Sequence, residues 1–188
     1  MPNYRRHRVP GGTYFFTLAL MSRRSDLLVQ EIAALRAAVA RTRLLYPFQI
    51  DAWVVLPEHM HAVWTLPDGD ADYALRWTLI KRWFSAAVPD GESRTESRVA
   101  KGERGIWQRR FWEHTVRDPD DFARHVDYVH FNPVKHGLVA RAVDWPYSSF
   151  RRAIGRGDYP ADWALADDNV RGFGEVGGEP ERPHRSQG

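Results

Sequence analysis

The chain has 188 residues, enough for one domain with modest appendages and a real core. Hydrophobic residues make up 43% and aromatics 13%, which excludes a disordered chain, and the absence of cysteine excludes disulfides and thiolate metal sites. Formal net charge is only +3 although the pI is about 9.4, so any preference for polyanions must come from how the arginines are placed. No apolar run approaches the ~20 residues of a membrane helix. Polar residues and Pro10-Gly11-Gly12 follow the basic N-terminus where a signal peptide needs an apolar stretch. A soluble, cytoplasmic protein is expected.

Thr13 to Leu20 is rich in β-formers after the Pro10-Gly11-Gly12 turn, which predicts a first strand. Ser25 or Asp26 can cap a helix reaching about Leu45, with Leu28, Ile32, Leu35 and Val39 at helical spacing and Pro47 closing it. Phe48 to Leu56 holds a nearly continuous apolar run, as in a central strand. After Pro57-Glu58 the chain alternates: Met60, Ala62, Trp64 and Leu66 face one way, His59, His61, Val63 and Thr65 the other. Asp72 can cap a second helix ending before Pro89, with Leu75, Leu79, Trp83 and Ala86 as its inner face. Residues 89–105 are polar and read as a mobile loop, and Ile106 to Val116 reads as a strand. Asp118-Pro119 starts a third helix, which Pro133 should end at about Asn132, with Gly137 capping a short turn beyond. The order β, α, β-β, α, β, α predicts an α+β domain over residues 1–165, its helices packed on one face of an antiparallel sheet. A ferredoxin-like arrangement is the natural small-domain solution. Residues 166–188 are rich in Gly, Pro, Glu and Arg and are expected to be disordered.

Basic residues cluster at Arg5-Arg6-His7-Arg8, Arg23-Arg24, Arg41/Arg43, Lys81-Arg82, Arg109-Arg110 and Arg151-Arg152. Several clusters adjoin Tyr4, Trp83, Trp107, Phe111, Trp112 or Phe150. Guanidinium groups neutralise phosphates and exposed aromatic faces stack on unpaired bases, so the mixture suits single-stranded nucleic acid. It suits equally a solvated surface whose arginine stems cover apolar neighbours.

His59 and His61 lie two apart on a strand, so both imidazoles share a face and can reach one ion, while Met60 anchors the strand in the core. By itself a His-x-His pair reads more readily as structural. On the third helix Phe122, Val126 and Val129 form the apolar stripe, and Tyr128, Asn132 and His125 share another face. Tyr128 can be a half-buried amphipathic residue and Asn132 a terminator before Pro133. Combined with the histidines, the pattern instead suggests a metal site completed by the Asn132 oxygen, with a phenol one turn away. A phenolate is a competent nucleophile toward phosphorus, and a metal would polarise a phosphate oxygen. Two histidines and one neutral oxygen suit Mg²⁺ or Mn²⁺, although nitrogen ligands also welcome zinc or nickel. Glu58 is either a candidate base or a turn residue.

His59-Met60-His61, within LPEHMHAVWTLP, resembles the signature of the HUH endonucleases, and HVDYVHFNPVKHGLV (125–139) resembles the tyrosine helix of the REP-associated tyrosine transposases. YRRHRVPGGTYFFTL, GIWQRRFWEH and DWPYSSF extend the likeness over most of residues 4–152. The resemblance implies a ferredoxin-like core and divalent-metal-dependent cleavage of single-stranded hairpin DNA at repetitive extragenic palindromes. It implies Tyr128 as a nucleophile that becomes linked to a 5′-phosphate, and His59, His61 and Asn132 as metal ligands. Many single-tyrosine relatives carry Gln where Asn132 stands, and the third histidine of relaxase cousins has no evident counterpart here. Arg5, Arg6 and Arg8 are implied to reach a hairpin end, and Arg109 and Arg110 the phosphate backbone. The REP-associated branch is expected to act as monomers, whereas insertion-sequence relatives form dimers. The alternatives are a non-catalytic binder of structured single strands and a metal phosphodiesterase that uses water.

Overall fold

The computed structural model describes residues 7–89, 96–102 and 104–163. Four strands form one sheet: β1 (Thr13–Ala19), β2 (Gln49–Val55), β3 (His59–Thr65) and β4 (Trp112–Thr115). Their order is β2-β3-β1-β4, all neighbours antiparallel, which is the ferredoxin-like arrangement. Among the described residues six α-helices accompany them: α1 (Leu27–Gln30), α2 (Ile32–Leu45), α3 (Tyr73–Ala87), α4 (Glu96–Val99), α5 (Pro119–Lys135) and α6 (Phe150–Gly155). Among the described residues no helix is long and apolar enough to cross a membrane.

Strand alternation divides the core in two. Tyr14, Phe16 and Leu18 of β1 join Met60, Ala62 and Trp64 of β3 on one face, under α2 and α3. This half is aromatic: Trp64 stacks on Trp77 with ring centroids 3.9 Å apart, and Phe48 lies 4.1 Å from Trp64. Phe15, Ala52, Val54 and Val63 face the other way and are covered by Val126 and Val129 of α5. The expectation that the helices share one face therefore holds for α2 and α3 only. A strand's second face is apolar here as well, and α5 buries it.

The inner face of α3 is also different from the one expected. Tyr73, Trp77, Ile80 and Phe84 are buried with Val88 just beyond, whereas Ala86 is exposed and Leu75 and Leu79 are half-buried. The aromatic stripe offers more apolar area than the leucine stripe, and the larger burial decides the rotation. Arg76 lies on the same face and is spent structurally. Its guanidinium donates to the carbonyls of Tyr46, Pro47 and Asp72 and to Asp70, tying α3 to the α2–β2 loop.

β4 is shorter than the run from Ile106 to Val116 suggests. Trp107 makes an isolated bridge to Leu20, and the chain bulges through Gln108-Arg109-Arg110 before pairing resumes. Only part of the loop expected over 89–105 is described. It holds α4, and Arg104 donates to the carbonyls of Ser85, Val88 and Pro89 at the negative end of α3. The tail expected over 166–188 lies outside the described residues.

α5 runs through Pro133 to Lys135 instead of stopping at Asn132. The proline removes one N–H in the last turn, and a Schellman closure satisfies the end. Leu138 N–H donates to Pro133 O and Gly137 N–H to Val134 O, with Gly137 at φ +67°. Gly137 thus caps α5 itself, and the extra turn brings His136 to the C-cap.

Candidate active site

His59 and His61 project from β3 toward α5, as the alternation requires, while Met60 is buried in the opposite core. Each ring is fixed by one nitrogen. His59 Nδ1 donates to Glu58 Oε1 at 3.0 Å, and a carboxylate that only accepts places the proton on Nδ1. Glu58 therefore orients His59. His61 Nδ1 shares a 2.9 Å hydrogen bond with Oγ1 of Thr17, its cross-strand partner in the β1–β3 register. With the imidazole as donor in both bonds, each Nε2 keeps its lone pair, the usual arrangement for metal-binding histidines. Burial is the largest cause that lowers the pKa of both rings. For His61 the neighbouring His59, His136 and Lys135 depress it further, well below the ordinary range; for His59 the Glu58 carboxylate partly opposes the shift. Both rings are neutral at pH 7, the protonation state a ligand needs.

Tyr128 stands beside them on α5. Its ring is 5.2 Å from that of His61 and 5.8 Å from Phe15, edge-on to both. The Lys135 ammonium lies 4.9 Å from the Tyr128 ring centroid, so the half-buried phenol is held among an imidazole, a phenyl and a cation. Asn132, one turn on, is fully buried. Its Nδ2 donates to Tyr128 O at 3.4 Å, and its Oδ1 has no hydrogen-bond partner among the described residues. A buried amide oxygen left over costs about 1–3 kcal/mol unless something takes it up. The leftover Nε2 atoms and this orphaned oxygen form a donor set that fits a divalent cation.

His136 enters the same group, unforeseen from the sequence. Its ring centroid is 5.0 Å from that of His59, the same separation as between His59 and His61. The signal was available, since His136 follows Asn132 by one helical turn, but ending the helix at Asn132 hid it.

His125 behaves otherwise. It does not share a face with Tyr128 and Asn132 but turns inward and stacks on His114 with centroids 4.6 Å apart. His114, Asp121 and His125 bring ligand-type atoms within 4.8 Å of one another. Asp121, however, is already saturated. It accepts from His114 Nε2 at 2.8 Å, from Arg117 N and Nε at 3.1 Å each and from Arg124 Nη2 at 3.4 Å. Burial pushes its pKa up, but the His114 and Arg117 hydrogen bonds outweigh that and hold the carboxyl well below the usual range.

Arg109 and Arg110 lie at the histidine end of the sheet: Gln108 N–H donates to Ala19 O, and Ala19 pairs with His59. Arg8 sits at the far end, with Nη2 4.0 Å from Asp72 Oδ1, and Arg5 and Arg6 lie outside the described residues. Among the aromatics expected to stack on bases, Phe150 and Trp107 are instead in the core, while Trp83, Phe111 and Trp112 are half-buried. Two clefts of about 630 and 350 Å³ flank β2 and share Arg43 and Arg152; neither is lined by His59, His61 or Tyr128.

No family model matches the chain. It is 49% identical to the REP-associated tyrosine transposase of Escherichia coli (strain K12) over 164 residues, covering 87% of this chain and 92% of the relative. It is 44% identical to a putative REP-associated tyrosine transposase of Haemophilus influenzae, covering 87% and 93%. A solved structure described as the REP-associated tyrosine transposase bound to a REP hairpin superposes with a TM-score of 0.76 at 47% identity, covering 92% of this chain and 97% of that one.

Proposed function

The chain belongs to the REP-associated tyrosine transposases, a family of DNA-cleaving enzymes, and from that premise we propose that it cuts and rejoins single-stranded hairpin DNA through Tyr128. The family implies a divalent metal; on this chain His59, His61 and Asn132 would hold it, as Mg²⁺ or Mn²⁺. When bound, the ion supplies charge to polarise a non-bridging phosphate oxygen. The observation that carries the reading is the placement of the Tyr128 ring 5.2 Å from His61, beside imidazoles whose Nε2 atoms remain available.

The chain's own residues divide the remaining work. Tyr128 Oη bonds to phosphorus as the P–O3′ bond breaks. The phenolic proton leaves to solvent, the 3′ oxygen takes up a proton, and a 5′-phosphotyrosine conserves the bond for the reverse reaction. Phe15 and His61 hold the ring on two sides, and Lys135 places a positive charge over it. Glu58 and Thr17 keep the two imidazoles in register. Tyr128 and both histidines come together within one chain, which supports action as a monomer.

The test is a denaturing gel with labelled hairpin single strands, Mn²⁺ or Mg²⁺, and wild type beside Tyr128→Phe and His59→Ala. A protein–DNA adduct is expected for wild type alone. Metal-dependent cutting that survives Tyr128→Phe would instead mean hydrolysis by water. Tight binding with no cutting under either metal would leave a non-catalytic binding protein.

A further inference from the structure

One histidine in the group has no role in the reading above. His136 occupies the C-cap of α5, and its ring centroid lies 5.0 Å from that of His59. With metal–nitrogen bonds of about 2.0–2.1 Å, two imidazoles on neighbouring corners of a coordination shell bring their centroids to roughly 4.5–5.5 Å. The His59–His61 pair and the His59–His136 pair both meet this spacing, at 5.0 Å each. His59 is thus the middle ring of three.

Placement on α5 supports the same assignment. The C-terminal end of a helix carries the negative end of the macrodipole and favours a cation. The Schellman closure with Gly137 at φ +67° fixes the C-cap, so His136 departs from a defined backbone position and not from a frayed end. Asn132, one turn earlier, carries the orphaned oxygen, so the last turn of α5 holds an unpartnered amide oxygen and, at its C-cap, an imidazole beside His59.

We propose that His136 is a further protein ligand of the ion held by His59 and His61, so that three imidazoles and one amide oxygen face it. The proposal rests on His59 and His61 being ligands. A donor set this rich in nitrogen favours Mn²⁺, Co²⁺ or Zn²⁺ over Mg²⁺, which prefers oxygen and water.

The test is metal binding by the full chain without DNA: calorimetry with Mn²⁺ and with Mg²⁺, and the visible d–d spectrum with Co²⁺, for wild type, His136→Ala, His136→Gln and His59→Ala. Circular dichroism and a melting curve check the fold, which should survive because His136 is exposed. His136→Ala is expected to weaken Mn²⁺ binding on the order of 10–100-fold and to move the Co²⁺ spectrum, with a smaller effect on Mg²⁺. Unchanged Mn²⁺ affinity and Co²⁺ spectrum in both His136 variants, with binding lost in His59→Ala, would overturn the proposal and leave the two-histidine site standing. Unchanged binding in His59→Ala as well would remove the metal site itself.

Discussion

The two ends of α5 each gather histidines, and they are built in opposite ways. At the N-terminal end His114, Arg117, Arg124 and His125 surround Asp121, and their N–H groups point at its carboxylate or, from His125, at its carbonyl oxygen. At the C-terminal end His59 and His61 spend one nitrogen each on Glu58 and Thr17 and keep the other, while Asn132 Oδ1 has no partner among the described residues. The first cluster has consumed its charges, with a carboxylate at the positive end of the helix where the macrodipole favours it. The second has lone pairs left over at the negative end, where a cation belongs. Proximity of ligand-type atoms alone would favour the first cluster; the direction of the hydrogen bonds favours the second.

The sharpest way to break this contrast is to mutate both ends in parallel. His61→Ala should reduce cleavage by at least on the order of 100-fold with little change in melting temperature. Asp121→Asn should do the reverse, costing about 3 kcal/mol by leaving Arg117 and His114 without their buried partner, and lowering the melting temperature by roughly 10 °C. Cleavage per folded molecule at 25 °C should persist in Asp121→Asn. A melting curve and the gel assay read both arms, and a large loss of cleavage in folded Asp121→Asn would show that the clusters are not functionally distinct. The Asp121 contribution is present above the ordinary carboxyl pKa and is lost only as pH falls below it, because the folded-state value is depressed.

A second structural histidine predicts a different pH window. His130, on α5 between Tyr128 and Asn132, is 1% exposed, with Nε2 3.0 Å from Ser149 Oγ and its ring against Phe150 and Tyr159. Burial, then the charges of Arg156 and Arg152, lower its pKa to about 4, with Asp158 opposing. A neutral buried imidazole stabilises the fold fully above the unfolded value near 6.5, and the contribution is lost as pH falls from 6.5 toward about 4. The gap corresponds to roughly 3 kcal/mol. Stability should be flat above pH 7 and decline through that window, and His130→Leu should flatten the decline in part, since His59, His61 and His125 are also held neutral. Urea melts from pH 7 to 4 measure this, and an identical decline in the variant would assign it elsewhere.

A smaller effect isolates the orienting bond on β1. Thr17→Val keeps the strand and removes the oxygen that meets His61 Nδ1. Metal affinity should fall roughly 10-fold, at the low end for such a partner, with His59 untouched. Equal affinity in calorimetry would mean that packing against Phe15, 5.6 Å away and nearly parallel, suffices to aim the ring.

How much of this was legible in the sequence follows from which signals are local. The β3 alternation is a period-two pattern, so the faces of His59, Met60, His61 and Val63 were read correctly before any packing was known. The strand order that puts Thr17 opposite His61 is a pairing between distant segments, and no local pattern specifies it. α3 offered two apolar stripes, and only the shape of the facing sheet chooses Tyr73, Trp77, Ile80 and Phe84 over Leu75 and Leu79. At Pro133 a sound local rule lost to tertiary context. Burial of the proline and the Schellman hydrogen bonds carry the helix one turn further, and that turn delivers Lys135 to Tyr128 and His136 to His59. Tyr128, His59 and His61 were thus visible as motif residues, while the groups packed around them were set by the fold.

The smallest expected effects concern the DNA path. Arg109 and Arg110 leave the bulge between Trp107 and β4, at the end of the sheet where Ala19 pairs with His59. Arg8 precedes β1 at its other end, six residue steps or about 20 Å away along the strand, and lies 4.0 Å from Asp72. If both ends touch phosphate, the substrate runs the length of β1. Arg109→Ala and Arg110→Ala should each lower the slope of log affinity against log salt by about 1 and weaken binding several-fold at moderate salt, without altering sequence preference. Arg8→Ala should lower the slope by a similar amount. Fluorescence anisotropy with hairpin DNA across a salt series reads all three, and a slope unchanged in Arg8→Ala alone would confine the DNA to the histidine end of the sheet.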